Sequence, residues 1–228
     1  MVKICTAKEV KKRIGAIQQR SEELDRNIAQ ILESVRKNGD SALREYTLQF
    51  DGVKLDRFEI SSGQIAQYAA ACDPALYASL QRAASNITDF HRRQISQSWM
   101  TTKPDGSILG QRLRGLSRVG IYVPGGTAAY PSSVLMCAIP AKLAGVSEIL
   151  MVTPPAREGQ INYGVYAAAK IAGVDRIFTV GGAQAVAALA FGTESIPRVD
   201  KIAGPGNIYV ATAKRMLYGT VDIDMVAG

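Results

Sequence analysis

Three polar side chains, those of Tyr122, Gln184 and Asn207, lie beside turns that are rich in glycine and follow short apolar segments. The turns read P-G-G after Tyr122, G-G-A-Q ending at Gln184 and G-P-G-N ending at Asn207. Glycine lets the backbone approach a ligand closely, and a helix N-terminus after such a turn offers N–H groups and a positive dipole to a phosphate. We therefore predict that these three side chains orient a bound ligand.

The same turns also have an ordinary structural explanation. Every α/β domain needs tight turns, which Gly and Pro supply, and the G-x-G-x-x-G fingerprint of dinucleotide-binding loops is missing from the sequence. Under this alternative Tyr122 is a core tyrosine and Asn207 is a helix N-cap. One such turn is weak evidence for a ligand site, whereas several turns on one sheet edge favour it.

Alternating strands and helices in residues 118–228 bring these turns to one edge. Apolar segments typical of buried strands occupy Val119–Val123, Ile149–Thr153, Ile177–Val180, Lys201–Ala203 and Val221–Met225, and Ala-rich helical segments separate them. The segment AKLAGVSEILMV from Ala141 is repeated as AKIAGVDRIFTV from Ala169, one strand–helix unit later. The pattern predicts an α/β fold with a parallel sheet, which binds ligands at the carboxyl ends of its strands.

Residues 1–117 have a different character and read as a helix-rich α/β portion. We predict helix N-caps at Ser21, at Asp40 and at Asp73, the last followed by a proline at the first helical position. A short strand is expected at 58–60. Two further strands are expected within 98–117, on either side of a P-D-G turn.

Other residues with chemical potential give weaker signals. His91 is the only histidine, and a catalytic base is possible there, but a packing or surface role on its helix is the favoured interpretation. Asp222 and Asp224 alternate along the last strand and share one face, where they either flank a site or are solvated. With one histidine and three cysteines that do not cluster, this stretch of chain cannot build a typical zinc site from His or Cys ligands.

Composition excludes several classes of protein. The 228 residues are 47% hydrophobic and 21% charged, as in an ordinary globular protein. The net charge of +7 is scattered rather than collected into a stripe, which argues against nucleic acid as a partner. We expect no membrane association, because no segment approaches the ~18 apolar residues of a membrane span. The cysteines suggest no disulfide framework, so we predict a cytoplasmic protein.

Long segments of the chain resemble the histidinol dehydrogenase family. The strongest are RVGIYVPGGTAAYPSSVLM (118–136), VGGAQAVAALAFGTESIPRVDKIAGPGNIYV (180–210) and GTVDIDMVAG (219–228). The segments GDSALREYTLQFDG (39–52) and ITDFHRRQ (87–94) resemble the family's N-terminal part. The resemblance spans nearly the whole chain.

The resemblance implies a function and a domain organisation. The family oxidises histidinol to histidine in two NAD-dependent steps of histidine biosynthesis, as a cytoplasmic homodimer with zinc in each active site. Its NAD-contacting Tyr, Gln and Asn match Tyr122, Gln184 and Asn207. By the same resemblance, 1–117 comprise a helical arm with part of a first Rossmann-like domain, and 118–228 form a second, NAD-binding one that is incomplete.

The resemblance also implies that important groups lie outside this chain. Family members are about twice as long, and their zinc ligands and Glu-His acid–base pair follow the segment that matches 219–228. We therefore expect this chain to be a truncated portion that is inactive alone and exposes apolar surface. Two alternatives stay open: a non-catalytic α/β binding or scaffold fragment, and a family dehydrogenase that acts on another alcohol.

Overall fold

The computed structural model describes residues 7–125, 130–156 and 161–226, and residues 7–20 are described by their backbone alone. The helices in these ranges are α1 (Ala7–Asn38), α2 (Asp40–Asp51), α3 (Ser62–Ala70), α4 (Pro74–Arg92), α5 (Pro131–Leu143), α6 (Tyr163–Ala172), α7 (Gly182–Phe191) and α8 (Ile208–Leu217). The strands are β1 (Glu59–Ile60), β2 (Trp99–Thr102), β3 (Ile108–Gln111), β4 (Arg118–Tyr122), β5 (Glu148–Thr153), β6 (Arg176–Thr179), β7 (Lys201–Ala203) and β8 (Asp222–Ile223).

A six-stranded sheet with the order β1-β6-β5-β4-β7-β8 forms the centre of the protein. Strands β4 to β8 are parallel, and only β1 pairs in the antiparallel sense, with β6. The predicted α/β class and parallel sheet are thus confirmed. The chain adds β5 and β6 on one side of β4 and then returns to place β7 on the other side. The order of strands therefore reverses between β4 and β7, and open sheets bind ligands at such a switch point.

Helices cover both faces of the sheet, and successive residues of each strand point to opposite faces. Ile121 and Met151 pack in a core cluster with residues of α3, α4, α5 and α6. Tyr122 and Val152 pack in a second cluster with residues of α1, α2, α7 and α8. The central strands are buried on both sides, which explains why they read as continuous apolar runs.

The predicted cap at Ser21 is wrong, because α1 continues through this residue from Ala7 to Asn38. The residues before Ser21 are mostly good helix formers, so a serine does not end the helix there. The predicted cap at Asp40 is also wrong, since Gly39 occupies the N-cap position of α2. Asp40 instead accepts hydrogen bonds from the hydroxyl and backbone N–H of Ser195.

Other expectations for residues 1–117 are confirmed. Asp73 caps α4 by accepting from the N–H of Leu76 at 2.8 Å, with Pro74 at the first helical position. Strands β2 and β3 form the predicted antiparallel pair. Strand β1, from the same part of the chain, lies at one edge of the main sheet. The division into domains at residue 117 stays a prediction. Within the described ranges, no helix is both long and apolar enough to cross a bilayer.

Candidate functional site

A cleft of about 1310 Å³ lies at the carboxyl ends of the parallel strands, next to the switch point between β4 and β7. All three polar residues predicted from the sequence, Tyr122, Gln184 and Asn207, line it. They come from the end of β4, the first turn of α7 and the start of α8. The expectation that the glycine-rich turns share one edge is therefore correct for their described residues. Gly126 lies outside those residues, so the P-G-G turn is described only as far as Gly125.

Tyr122 lines the cleft and is 3% exposed. Its phenolic oxygen accepts a hydrogen bond from the N–H of Gly182 at 3.1 Å. Burial raises the pKa of the phenol, the charge of Asp51 adds to the effect, and the bond from Gly182 partly offsets it. The phenol is therefore neutral at physiological pH. Tyr122 is both a core tyrosine and a residue that lines the cleft, so its two interpretations are compatible.

Gln184 is 1% exposed, yet its side chain lines the cleft. Its Oε1 is buried and has no hydrogen-bond partner within the described structure. Leaving a buried carbonyl oxygen unpaired costs about 1–3 kcal/mol, so such an atom in a cleft calls for an explanation. A ligand that donates a hydrogen bond to this oxygen would explain why the protein leaves it unpaired.

Asn207 is the last residue of the G-P-G-N turn and the N-cap of α8. Its Oδ1 accepts from the N–H groups of Tyr209 and Val210, each at 3.1 Å. This is the N-cap arrangement that the sequence offered as the structural alternative. The first turn of α8 borders the cleft, since both Asn207 and Tyr209 line it.

Two glycines of this edge have a positive φ that L side chains rarely adopt, and at Gly204 a side chain would also clash with backbone atoms. Gly204 has a φ of +113°, and a Cβ there would lie 2.2 Å from the carbonyl oxygen of Tyr122. Gly182 has a φ of +66°, and a Cβ there would lie 2.5 Å from Oε1 of Gln184. Gly204 thus lets the turn after β7 approach β4 at the cleft, and Gly182 lets the chain enter α7 with a positive φ.

The opposite wall of the cleft was missed by sequence reasoning. It is formed by α1 and α2, which contribute Asn27, Gln30, Tyr46, Gln49 and Phe50. The rings of Tyr46 and Phe50 are stacked, with centroids 5.6 Å apart and planes within 6°. The two residues are four positions apart on α2 and so share one helix face, and only the tertiary packing shows that this face borders the cleft.

The weaker candidates lie elsewhere or have structural partners. His91 stays on the surface side of α4, where Nδ1 is 2.6 Å from Oε1 of Gln94. Asp222 pairs with Lys201 and Asp224 pairs with Lys214, and both acids are solvent-exposed residues that do not line the cleft. Among the residues that the structure describes, no three His, Cys, Asp or Glu side chains cluster as metal ligands would.

Comparison with known proteins decides the family. The sequence model of histidinol dehydrogenase matches residues 16–228. The chain belongs to the histidinol dehydrogenase family. The histidinol dehydrogenase of Syntrophotalea carbinolica is 57% identical over 221 residues, which cover 94% of this chain and 51% of that protein. The enzyme of the same name from Listeria monocytogenes is 55% identical over 206 residues, or 90% of this chain and 48% of that protein.

A solved member of the histidinol dehydrogenase family has the same fold. The crystal structure of histidinol dehydrogenase from Elizabethkingia anophelis superposes with a TM-score of 0.85 at 39% sequence identity. The match covers 90% of this chain and 48% of that one. The chain thus spans about half the length of the relatives it matches.

Proposed function

We propose that this chain is the NAD-binding part of a histidinol dehydrogenase that converts L-histidinol to L-histidine. The observation that carries the proposal is the meeting of Tyr122, Gln184 and Asn207 in one cleft at the switch point of the sheet. These residues match the family's NAD contacts, and they come from three separate turns. The parallel topology brings the turns to one edge, and the polar side chains that they carry line the same cleft there.

The cleft fits a dinucleotide in size and chemistry. Its volume of about 1310 Å³ exceeds the ~300–1,000 Å³ typical of small-ligand sites. The buried Oε1 of Gln184 can accept from a ribose hydroxyl or an amide of the ligand. Asn207 uses Oδ1 for its helix cap, so its Nδ2 is the group available to donate to the ligand. The N-terminus of α8 adds a favourable dipole for phosphate.

The proposed roles of the protein groups are binding and orientation. Tyr122 holds the start of α7 through Gly182, and its neutral phenol can donate a hydrogen bond into the cleft. The stacked rings of Tyr46 and Phe50 give the α2 side of the cleft an aromatic wall. When bound, NAD supplies a hydride acceptor for the alcohol carbon of histidinol.

Zinc does not fit the described residues of this chain. They contain no cluster of three potential ligands, so no step that needs the metal can be derived from them. We propose that a zinc site, like the acid–base pair, is built by the part of the relatives that this chain does not span. Assembly as a cytoplasmic homodimer, and lack of turnover by this chain alone, belong to the same proposal.

The experiment that tests the proposal is a calorimetric titration of the chain with NAD. Gln184→Met removes the buried amide and keeps the length of the side chain, so NAD affinity should fall about 3- to 10-fold or more. Gln111→Met makes the same chemical change in β3, outside the cleft, and should leave NAD affinity unchanged. Failure of the unchanged chain to bind NAD, or equal loss in both variants, would contradict the proposal.

Histidinol as substrate needs a separate test. The chain can be fused to the remaining half of the Syntrophotalea carbinolica relative, and NADH formation followed by absorbance. We expect the fusion to reduce NAD with histidinol and the chain alone to show no turnover. Reduction of NAD with other amino alcohols but not with histidinol would favour the alternative substrate.

A further inference from the structure

A buried ammonium group contacts the turn that leads to Asn207. Lys214, on α8, is 0% exposed. Its Nζ donates to the carbonyl oxygen of Gly204 at 2.9 Å and forms an ion pair with Asp224. The second carboxylate oxygen of Asp224 accepts from the N–H of Gly204 at 2.8 Å. Lys214 and Asp224 therefore bind both backbone polar groups of one glycine.

Gly204 is the residue whose position decides the path of the turn. It follows β7 directly, and it contacts the backbone of Tyr122 so closely that a Cβ would not fit. Three residues later Asn207 begins α8 at the cleft. A shift of Gly204 would therefore move Asn207 relative to Tyr122. The ion pair joins the end of β7, the middle of α8 and the residue after β8 at this one point.

Stability alone is a weak reason for this arrangement. Removing the Lys214 ammonium from water costs several kcal/mol, its partner Asp224 keeps 29% of its side chain exposed, and apolar side chains often replace a buried charge pair without loss of stability. The opposite ends of the same strands show the ordinary alternative, because Lys201 and Asp222 pair there with side chains 33% and 52% exposed. The Lys214–Asp224 pair, unlike the Lys201–Asp222 pair, has a buried ammonium and binds the backbone of a turn at the cleft.

We propose that Lys214 and Asp224 are positioning residues that fix the Gly204–Asn207 turn in its NAD-binding conformation, an inference that rests on the proposed NAD function. Neither residue lines the cleft, so they act through Gly204 and Asn207 rather than by touching the ligand. Because the Lys214–Asp224 ion pair already orders the turn, ligand binding does not have to bear the entropic cost of ordering it.

The test compares two double variants of the same chain. Lys214→Met with Asp224→Asn removes both charges of the ion pair, so that neither is left without its partner. Lys201→Met with Asp222→Asn makes the same change at the amino ends of β7 and β8, as the matched control. Each protein is studied by thermal unfolding, by amide hydrogen exchange of residues 204–210 and by titration with NAD.

We expect the Lys214/Asp224 variant to unfold within a few degrees of the wild type, to exchange its 204–210 amides at least tenfold faster and to bind NAD at least tenfold more weakly. The control should change neither exchange nor affinity. Unchanged exchange in the turn, or faster exchange with unchanged NAD affinity, would overturn the inference.

The two proposals fail in different ways. If the wild-type chain does not bind NAD, the proposed function fails, and the exchange measurement still decides whether the ion pair holds the turn. If the wild type binds NAD and the Lys214/Asp224 variant binds equally well, the proposed function stands and the positioning role is wrong.

Discussion

The phenolic oxygen of Tyr122 accepts a hydrogen bond from the N–H of Gly182 at 3.1 Å, which ties the end of β4 to the first residue of α7. The first N–H groups of a helix have no partner within the helix, so this bond satisfies one of them inside the protein. It also fixes the distance between two sides of the cleft.

Tyr122→Phe should therefore weaken both the fold and the site. It keeps the ring and removes the acceptor for Gly182, so the free energy of unfolding should fall by about 1–2 kcal/mol, measured by urea denaturation. In a spectroscopic pH titration, the difference between wild type and variant should report a phenol that ionises above pH 10. A phenol that ionises below pH 10 would show that Tyr122 is not buried as described.

Two substitutions of Asn207 can distinguish its role as the helix N-cap from its proposed contact with the ligand. Asn207→Asp keeps a good N-cap, so the melting temperature should stay close to that of the wild type. The added negative charge should repel a dinucleotide phosphate and weaken NAD binding severalfold, with a smaller effect at high salt. Asn207→Ala should lose about 1 kcal/mol of stability as well. Tighter NAD binding by Asn207→Asp would contradict this placement of the phosphate.

Cys137 should be a slow nucleophile in spite of its position near charged residues. Burial raises the pKa of its thiol to about 11, the carboxylate of Asp224 contributes, and the ammonium of Lys214 acts in the opposite direction. At pH 8 only about one thiol in a thousand is then ionised. Peptide-resolved mass spectrometry after iodoacetamide treatment should show Cys137 labelling that still accelerates between pH 8 and about pH 10. Complete labelling within minutes at pH 7 would contradict the burial.

The edge strand β1 should confer a pH-dependent part of the stability. Arg176 donates to both carboxylate oxygens of Glu59, at 2.7 and 2.8 Å, and this bond is the main reason why the pKa of Glu59 lies below its usual value. Because the folded-state pKa is the lower one, the stabilisation is present above about pH 4.5 and is lost as the pH falls through the folded-state value.

Glu59→Gln should accordingly reduce the free energy of unfolding at pH 7 by less than about 1 kcal/mol, since the Glu59 side chain is 36% exposed to water. Urea denaturation at several pH values should show the wild type and the variant converging in acid. If the difference in the free energy of unfolding between wild type and variant grew towards low pH, it would have the wrong sign for this ion pair.

The strands of the main sheet were predictable because their signal is local. Four apolar runs between glycine-rich turns gave β4, β5, β6 and β7 to within about two residues. Helix boundaries were harder to predict. Ser21 and Asp40 are residue types that favour N-caps, but a long helix tolerates Ser21, and the side chain of Asp40 is used by Ser195, far away in the sequence.

The candidate site was predictable only on one side. Tyr122, Gln184 and Asn207 stand at strand ends, where the rule for parallel sheets applies. Tyr46 and Phe50 reach the cleft because α1 and α2 pack against α7, and nothing in the local sequence specifies that packing. The buried role of Lys214 was equally hidden, since a lysine in a helix is normally expected at the surface.

The reversal of strand order has a consequence for biosynthesis. Strand β5 can pair with β4 as soon as it leaves the ribosome, whereas Val119 must wait for Lys201 before β7 completes the other side. A nascent chain arrested before residue 201 should therefore hold a paired β4–β5–β6 unit that shows no affinity for NAD, which tethered-chain binding assays can measure. The cleft therefore forms only after β7 has joined β4, and under the proposed function NAD should bind only those chains in which the two strands have paired.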